Sequence, residues 1–302
     1  MSDLNRIIQK RKRQDFIFSM VGIFCTLIGV VTLLALLIDL ALDGISRLNW
    51  QYLTSFPSRF ASQAGILSSW VGTLLVMLVT AFTAVPLGIA AGIYLEEYAR
   101  KNRLTSLIEI NIANLAGVPS IIYGLMALGL LVYQFHLGQS ILAGGLTLAF
   151  LILPIVIVAT REALRTIPQN MREAAYALGS TKWQVVRHHL LPYSIGGTLT
   201  GVIIALSRAI GETAPLITIG ALTFIAFLPP SPVHTDPPFF TFDWVWSPFS
   251  VLPIQMFNWV SRPEQEFLQN AAAAGIVLII ITLSMNAVAI LIRYRVRKRI
   301  KW

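Results

Sequence analysis

Residues 16–38, 70–95, 110–133 and 137–160 contain no charged side chain. Each stretch exceeds the roughly 20 residues with which an α-helix crosses hydrocarbon. In lipid every backbone N–H and C=O must find a partner inside the structure, which leaves helices and closed barrels. Barrel strands alternate polar and apolar residues over about ten positions. Here the apolar character runs unbroken for more than twice that length, so the reading is an all-α polytopic membrane protein. A fifth apolar stretch starts near Leu190 and a sixth covers 271–292, giving about six transmembrane helices. Only 12% of residues are charged, against about a quarter in soluble domains.

The net charge of +9 would fit nucleic acid if it formed one patch, but its placement fits a membrane. Nineteen of the 23 basic residues lie in the amino-terminal tail, the links after the second and fourth stretches, and the carboxyl-terminal tail. The opposite links hold Arg47, Arg59 and Arg262, and Arg208 falls inside the fifth stretch. By the positive-inside rule both termini and the basic links of this multi-pass chain are cytoplasmic. Arg11–Arg13 before an apolar run would also fit a signal peptide, but the run exceeds a 7–15-residue signal core, which favours a retained span. The single cysteine, Cys25, lies within that run and reads as a structural thiol.

The fifth stretch continues to Leu228 with only Arg208 and Glu212 interrupting it. One straight helix of that length would measure about 58 Å, nearly twice the hydrocarbon thickness. A second complete crossing would put the basic tail outside. The expectation is one crossing followed by a bend near Gly211 or Pro215, with the continuation re-entering or lying at the outer interface. The external segment 229–263 holds eight of the 15 prolines and eight phenylalanine or tryptophan residues, including Trp244, Trp246 and Trp259. It reads as an interfacial anchor or as a docking surface.

Between the fourth and fifth stretches, Asn170 with Glu173 forms a capping-box-like start and Gly179 is placed to end a short helix. Thr181 with Gln184 starts a second helix, and Pro192 sits where the element turns toward the fifth span. So short a helix needs a surface to pack on. Glu173, Ala174, Ala175, Leu178 and Gly179 are therefore candidates for coupling to a soluble partner, with Ala174, Ala175 and Leu178 supplying apolar contact. An interfacial connector is the plainer reading.

The run Glu173-Ala-Ala-Tyr-Ala-Leu-Gly179 followed by Leu190-Leu-Pro192 resembles the EAA loop of ABC importer permeases. Tyr94-Leu-Glu-Glu-Tyr98, Gly117-Val-Pro-Ser120, Arg208-Ala-Ile-Gly-Glu-Thr-Ala-Pro215 and Leu252-Pro-Ile-Gln-Met-Phe-Asn-Trp259 resemble the PstA-type phosphate permeases of that family. The resemblance covers about residues 65–295 and implies a type I ABC importer permease fold. The division it implies is 1–60 for the tail, first span and start of the external link, then 61–295 for the permease core. That core carries a coupling loop at 161–192 and an external loop at 229–263; a basic tail follows at 296–302. The implied partners are a homologous second permease of the PstC type, two ATPase subunits, an external phosphate-binding protein, inorganic phosphate and membrane lipid. No nucleic acid is implied. No cofactor is expected on this chain, and Mg-ATP belongs to the ATPase subunits.

Arg208 and Glu212 stand four apart, on one helix face. They read either as a structural pair or, with Thr213, as a polar face on the substrate route. Gly117, Pro119, Gly211 and Pro215 are candidates for gating or helix packing. Glu109 is placed to pair with nearby basic ends, while Glu96, Glu97 and Tyr98 read as interfacial, with a subunit contact as the alternative that the resemblance implies. His188 and His189 sit in the basic link; His136 and His234 are isolated outside. The sequence has no Gly-x-x-x-x-Gly-Lys-Ser/Thr phosphate loop and no acid, base and nucleophile cluster, so this chain is read as no enzyme. A permease for a related oxyanion, an ion-gradient-driven secondary transporter and a membrane scaffold are the rival readings.

Overall fold

The computed structural model describes residues 2–233 and 239–299. His234, part of the external loop and the end of the basic tail fall outside them. Apart from one isolated bridge between Val233 and Phe240, the regular structure among the described residues is helical. Helix α1 spans Ser2–Gly44, about 65 Å at 1.5 Å per residue. Its spanning part is exposed, and its end packs on the last helix. There an added Cβ on Gly44 would stand 2.7 Å from the Ala273 backbone nitrogen, so only glycine permits the approach.

Helix α2 (Leu67–Ile93) runs on through a wider turn at Tyr94–Tyr98, and α3 (Arg103–Leu115) and α4 (Ser120–Ala127) follow. Helix α5 (Ile141–Arg165) is the centre of the core. Glycines let α2 and α5 meet closely: Gly145 faces Val79, Gly88 faces Val156, and Gly92 faces Thr160. These pairs rise together in number, so the two helices are parallel and end on one face. The chain must return between them, and it does so through α3 and α4, extended by Leu128–Gln134.

The return, expected as one span over 110–133, is sharply bent: its two halves meet at 106°. Pro119 lacks an N–H and disfavours helix in the residue before it. Gly117 and Val118 instead donate to Asn114 and Leu115 in tight turns that end α3. The Tyr123 hydroxyl then donates to the Leu115 carbonyl at 2.8 Å, bridging the bend and satisfying an end-of-helix acceptor. Among the described residues five helices are long and apolar enough to cross, or six with the bent pair.

Helix α6 (Gln169–Ala177) is followed by α7 (Lys182–Val185) and α8 (Leu191–Ile210). A wider turn at Val186–Leu190 joins α7 to α8, so the fifth span starts at Lys182, earlier than expected. Pro192 lies within this continuous helix and does not mark a turn. The wider turn just before it accommodates the missing N–H. Helix α8 packs antiparallel to α5, with Gly197 on Ala163 and Gly201 on Ala159.

Beyond Ile210 the chain bends as expected, forming α9 (Ala214–Thr218) and then returning toward the first turn of α2. There the Ser68 hydroxyl donates to the Ile225 carbonyl at 2.9 Å, and Leu222 N–H donates to Phe249 at 3.0 Å. Helix α10 (Leu252–Val260) leads to α11 (Gln265–Arg299), antiparallel to α8 through Ser207–Asn286 at 2.8 Å and Arg293–Thr200 at 2.7 Å. Both chain ends therefore share the face that carries α6.

The opposite face is closed by an aromatic cluster of Tyr52, Trp259 and Phe267. Arg47 donates to Asn270 at 2.7 Å and to the Ala61 carbonyl at 2.6 Å, while the Tyr52 hydroxyl donates to the Asn270 carbonyl at 2.6 Å. Burial pushes the Tyr52 phenol well above its ordinary range, with the Arg47 charge opposing, so Tyr52 acts as a neutral donor.

Candidate functional site: an exposed helix braced by buried charges

Helix α6 starts at Gln169, directly after Pro168, and no side chain caps it. Asn170 is inside the first turn, contrary to the cap expected there. The extended Pro168 (ψ 140°) already sets the entry, and its carbonyl takes the first bond, from Met171 N–H at 3.2 Å. The end matches expectation. Gly179 has φ +81°, Gly179 N–H donates to the Tyr176 carbonyl at 2.9 Å, and Ser180 N–H donates to Ala175 at 3.2 Å. This pair of bonds is the Schellman closure, which needs a left-handed residue at that position. Thr181 and Gln184 form the expected reciprocal capping box, with Thr181 N–H donating to the Gln184 side chain at 2.8 Å.

The five coupling candidates divide between two faces. Ala175 is buried against Leu164, Ile167, Val185, Val186 and Leu190. Glu173, Ala174, Leu178 and Gly179 face outward, and Leu178 is 88% exposed. A leucine held out on a rigid, capped turn is a ready-made contact for another protein.

Glu96, Glu97 and Glu109 do more than the sequence reading gave Glu96 and Glu97. Arg161 pairs with Glu109 at 2.7 Å and with Glu96 at 3.5 Å, and Arg165 pairs with Glu96 at 3.0 Å. The expected pairing of Glu109 with basic ends is thus present. Arg172, on α6, holds Glu97 at 2.7 Å, and both side chains are nearly buried. Neither Arg172 nor Glu97 emerges from the sequence as a pair, because 75 residues separate them. One signal was available: acids are scarce in this chain, yet two stand together at the end of a span.

Arg208 and Glu212 meet at 3.3 Å across the end of α8. Glu212 accepts from Nε, and the two terminal guanidinium nitrogens have no protein acceptor among the described residues. Gly211 caps α8, and Thr213 begins α9 without a side-chain cap bond. Pro215 is buried against α4, where an added Cβ on Gly124 would clash with Pro215 and Thr218. The neighbouring Ala209, Ile210 and Leu216 pack with Thr73, Val76 and Leu148, about two turns in from the first residues of α2 and α5. The inner face of this bend is therefore sealed. Arg208 is on the other face, which is open: Ile204, one turn earlier, is 60% exposed.

Residues 84–302 match the family described as binding-protein-dependent transport system inner membrane component. The chain belongs to this family. It is thus a permease subunit of an ABC-type importer of a bacterial membrane. A phosphate transport system permease protein PstA from Yersinia pestis is 32% identical over 90% of this permease and 85% of its own length. The PstA 1 protein of Mycobacterium tuberculosis H37Rv is 29% identical over 98% and 91%. A probable ABC transporter permease protein, YqgI, from Bacillus subtilis is 29% identical over 87% and 90%. The fold is shared with a chain of the inward-facing MetNI methionine ABC transporter, with TM-score 0.58 at 18% identity over 75% of this permease and 93% of that chain. It is also shared with a chain of a bacterial alginate ABC transporter, with TM-score 0.66 at 12% identity over 96% and 98%.

Proposed function

We propose that this permease is one of two membrane subunits of an ATP-driven inorganic phosphate importer. The observation that carries the reading is the succession of PstA-named relatives that cover nearly the whole chain. The basic face that carries α6 and both chain ends is then cytoplasmic, in keeping with its excess of lysine and arginine. Two ATPase subunits loaded with Mg-ATP, a homologous PstC-type permease and an external phosphate-binding protein complete the assembly. Helix α6 docks on an ATPase subunit through Ala174, Leu178 and the Gly179 turn, with Glu173 at the rim. Closure of the ATPase subunits moves α6, and the spans switch the route from outward to inward access.

Phosphate crossing this route loses much of its hydration and needs donors in return. Arg208 supplies a planar fork suited to phosphate oxygens. Glu212 orients that fork and keeps the ion from being held too tightly, and Thr213 adds a hydroxyl beside it. The bend at Gly117 and Pro119, with the Gly211 and Pro215 turn opposite, gives this region two places where helix direction can change. The test is ATP-dependent uptake of radiolabelled phosphate by the four-component complex in proteoliposomes. Uptake of phosphate in preference to sulfate and molybdate supports the reading, and preference for another oxyanion overturns the substrate assignment.

A further inference from the structure

The motion of a coupling helix is useful only if something ties that helix to the spans. Helix α6 touches them in two ways. Its buried side adds Ala175 and Met171 to a small apolar cluster that receives only Ile93 from α2. On the other side an open polar cavity of about 580 Å³ separates α6 from the end of α2. Glu96, Glu97 and Lys101 line it from α2 and the following link, and Gln169, Arg172 and Tyr176 line it from α6. Arg172 and Glu97 span this gap.

All three guanidinium nitrogens of Arg172 donate. Nε and Nη2 donate to Glu97 Oε1 at 3.1 and 2.7 Å. Nη1 donates to the Ile167 carbonyl at 2.8 Å, and Nη2 also reaches the Leu164 carbonyl at 3.0 Å. One side chain thus joins α6 to the end of α2, the last turn of α5 and the link between α5 and α6. The neighbouring pairs of Arg161 and Arg165 with Glu96 and Glu109 tie α3 to the same point. A lysine would not replace Arg172, because an ammonium is a point charge with three donors and lacks the planar fork.

We propose that Arg172 and Glu97 are positioning residues for transport: they make α6 a rigid extension of α2 and α5 together, so that a push on α6 moves both spans. The inference rests on the docking of α6 proposed above. Removing the link leaves α6 held by its small apolar cluster, free to rock into the cavity. Docking and ATP hydrolysis then persist while the displacement is lost.

The experiment uses the reconstituted complex on a Cys25→Ser background, which removes the chain's single native cysteine. Glu97→Gln and Arg172→Lys are compared with the parent for copurification of the ATPase subunits, ATP hydrolysis, and phosphate transported per ATP. The expected result is normal copurification, retained hydrolysis, and transport per ATP lowered about tenfold, within the usual range of coupling between sites. Joining Glu97→Cys and Arg172→Cys with a flexible bifunctional thiol reagent of matching length restores the ratio, since a mechanical link needs no charge. A parental ratio in both single variants overturns the inference, as does a tether that fails to restore it while the ATPase subunits remain bound. In the otherwise unaltered complex, Leu178→Cys reports separately on docking. Its failure to crosslink to an ATPase subunit removes the docking reading and this inference with it.

Discussion

Gly179 offers a way to separate backbone strain from contact with a partner. Its φ of +81° lies in the left-handed region, yet a Cβ added there would meet nothing within 4 Å. Any penalty inside this chain is therefore backbone strain alone. For an L-residue that strain is roughly 1–2 kcal/mol, which lowers the ratio of closed to open cap about 5–30-fold. Asparagine tolerates the left-handed region better than alanine, and a β-branched valine is worse than either. The closure consists of the Gly179 and Ser180 amides bonded to Tyr176 and Ala175. Hydrogen exchange over residues 176–182 in the assembled complex reads it directly. Protection should fall in the order Gly179→Asn, Gly179→Ala, Gly179→Val, and transport per ATP should follow. If side-chain bulk against the partner decided the matter, asparagine would be worse than alanine. That order in both measurements would refute the reasoning.

Three further outcomes follow from particular contacts. Gly72→Ala puts a Cβ 2.1 Å from the Ser250 carbonyl, a backbone atom, and should cost about 1–3 kcal/mol in thermal unfolding in detergent, whereas Gly129→Ala, with nothing within 4 Å, should not destabilise. Tyr52→Phe removes the donor to the buried Asn270 carbonyl and should cost about 1–3 kcal/mol. Burial raises the folded Tyr52 pKa, so its contribution is full below the ordinary value of 10.0 and fades as pH climbs beyond it; the phenylalanine variant should lack that alkaline loss. Arg208→Gln should reduce phosphate uptake at least tenfold, since hydrogen bonds to charged groups contribute about 1.5–3 kcal/mol. Unchanged uptake in a complex with normal assembly and ATP hydrolysis would remove Arg208 from the route.

The spans were legible because a bilayer imposes a rule on composition that single residues cannot hide: charge is absent for a helix length at a time. The stop at Gly179 and the Thr181–Gln184 box were legible because capping is local chemistry. What escaped depended on distance along the chain or on competition between neighbours. The 106° bend looked like one apolar stretch because Gly117 and Pro119 interrupt the geometry without interrupting the hydropathy. Asn170 lost the cap to Pro168, whose fixed backbone decided where α6 begins. Glu96 and Glu97 looked interfacial because Arg165 and Arg172 stand 69 and 75 residues away.

Arg208 constrains what can lie against the open face of this bend. It lies in the last turn of α8, where a charge costs less than the roughly 2.5–3.5 kcal/mol that insertion scales give at a helix centre. The pair with Glu212 offsets part of that, but it uses one nitrogen and leaves the side chain 38% exposed. The inner face of the same bend is packed against α2 and α5, so Arg208 cannot turn inward. Acyl chains would leave two guanidinium nitrogens unsatisfied. The open face therefore meets protein or water, and the expectation under the proposed function is that a second membrane subunit lies against it. A cysteine at Ile204, one turn along the same face, should crosslink to that subunit in the assembled importer. Labelling of this cysteine by a lipid-soluble maleimide at the rate of an exposed α1 position such as Leu34 would place the face in lipid and break the argument.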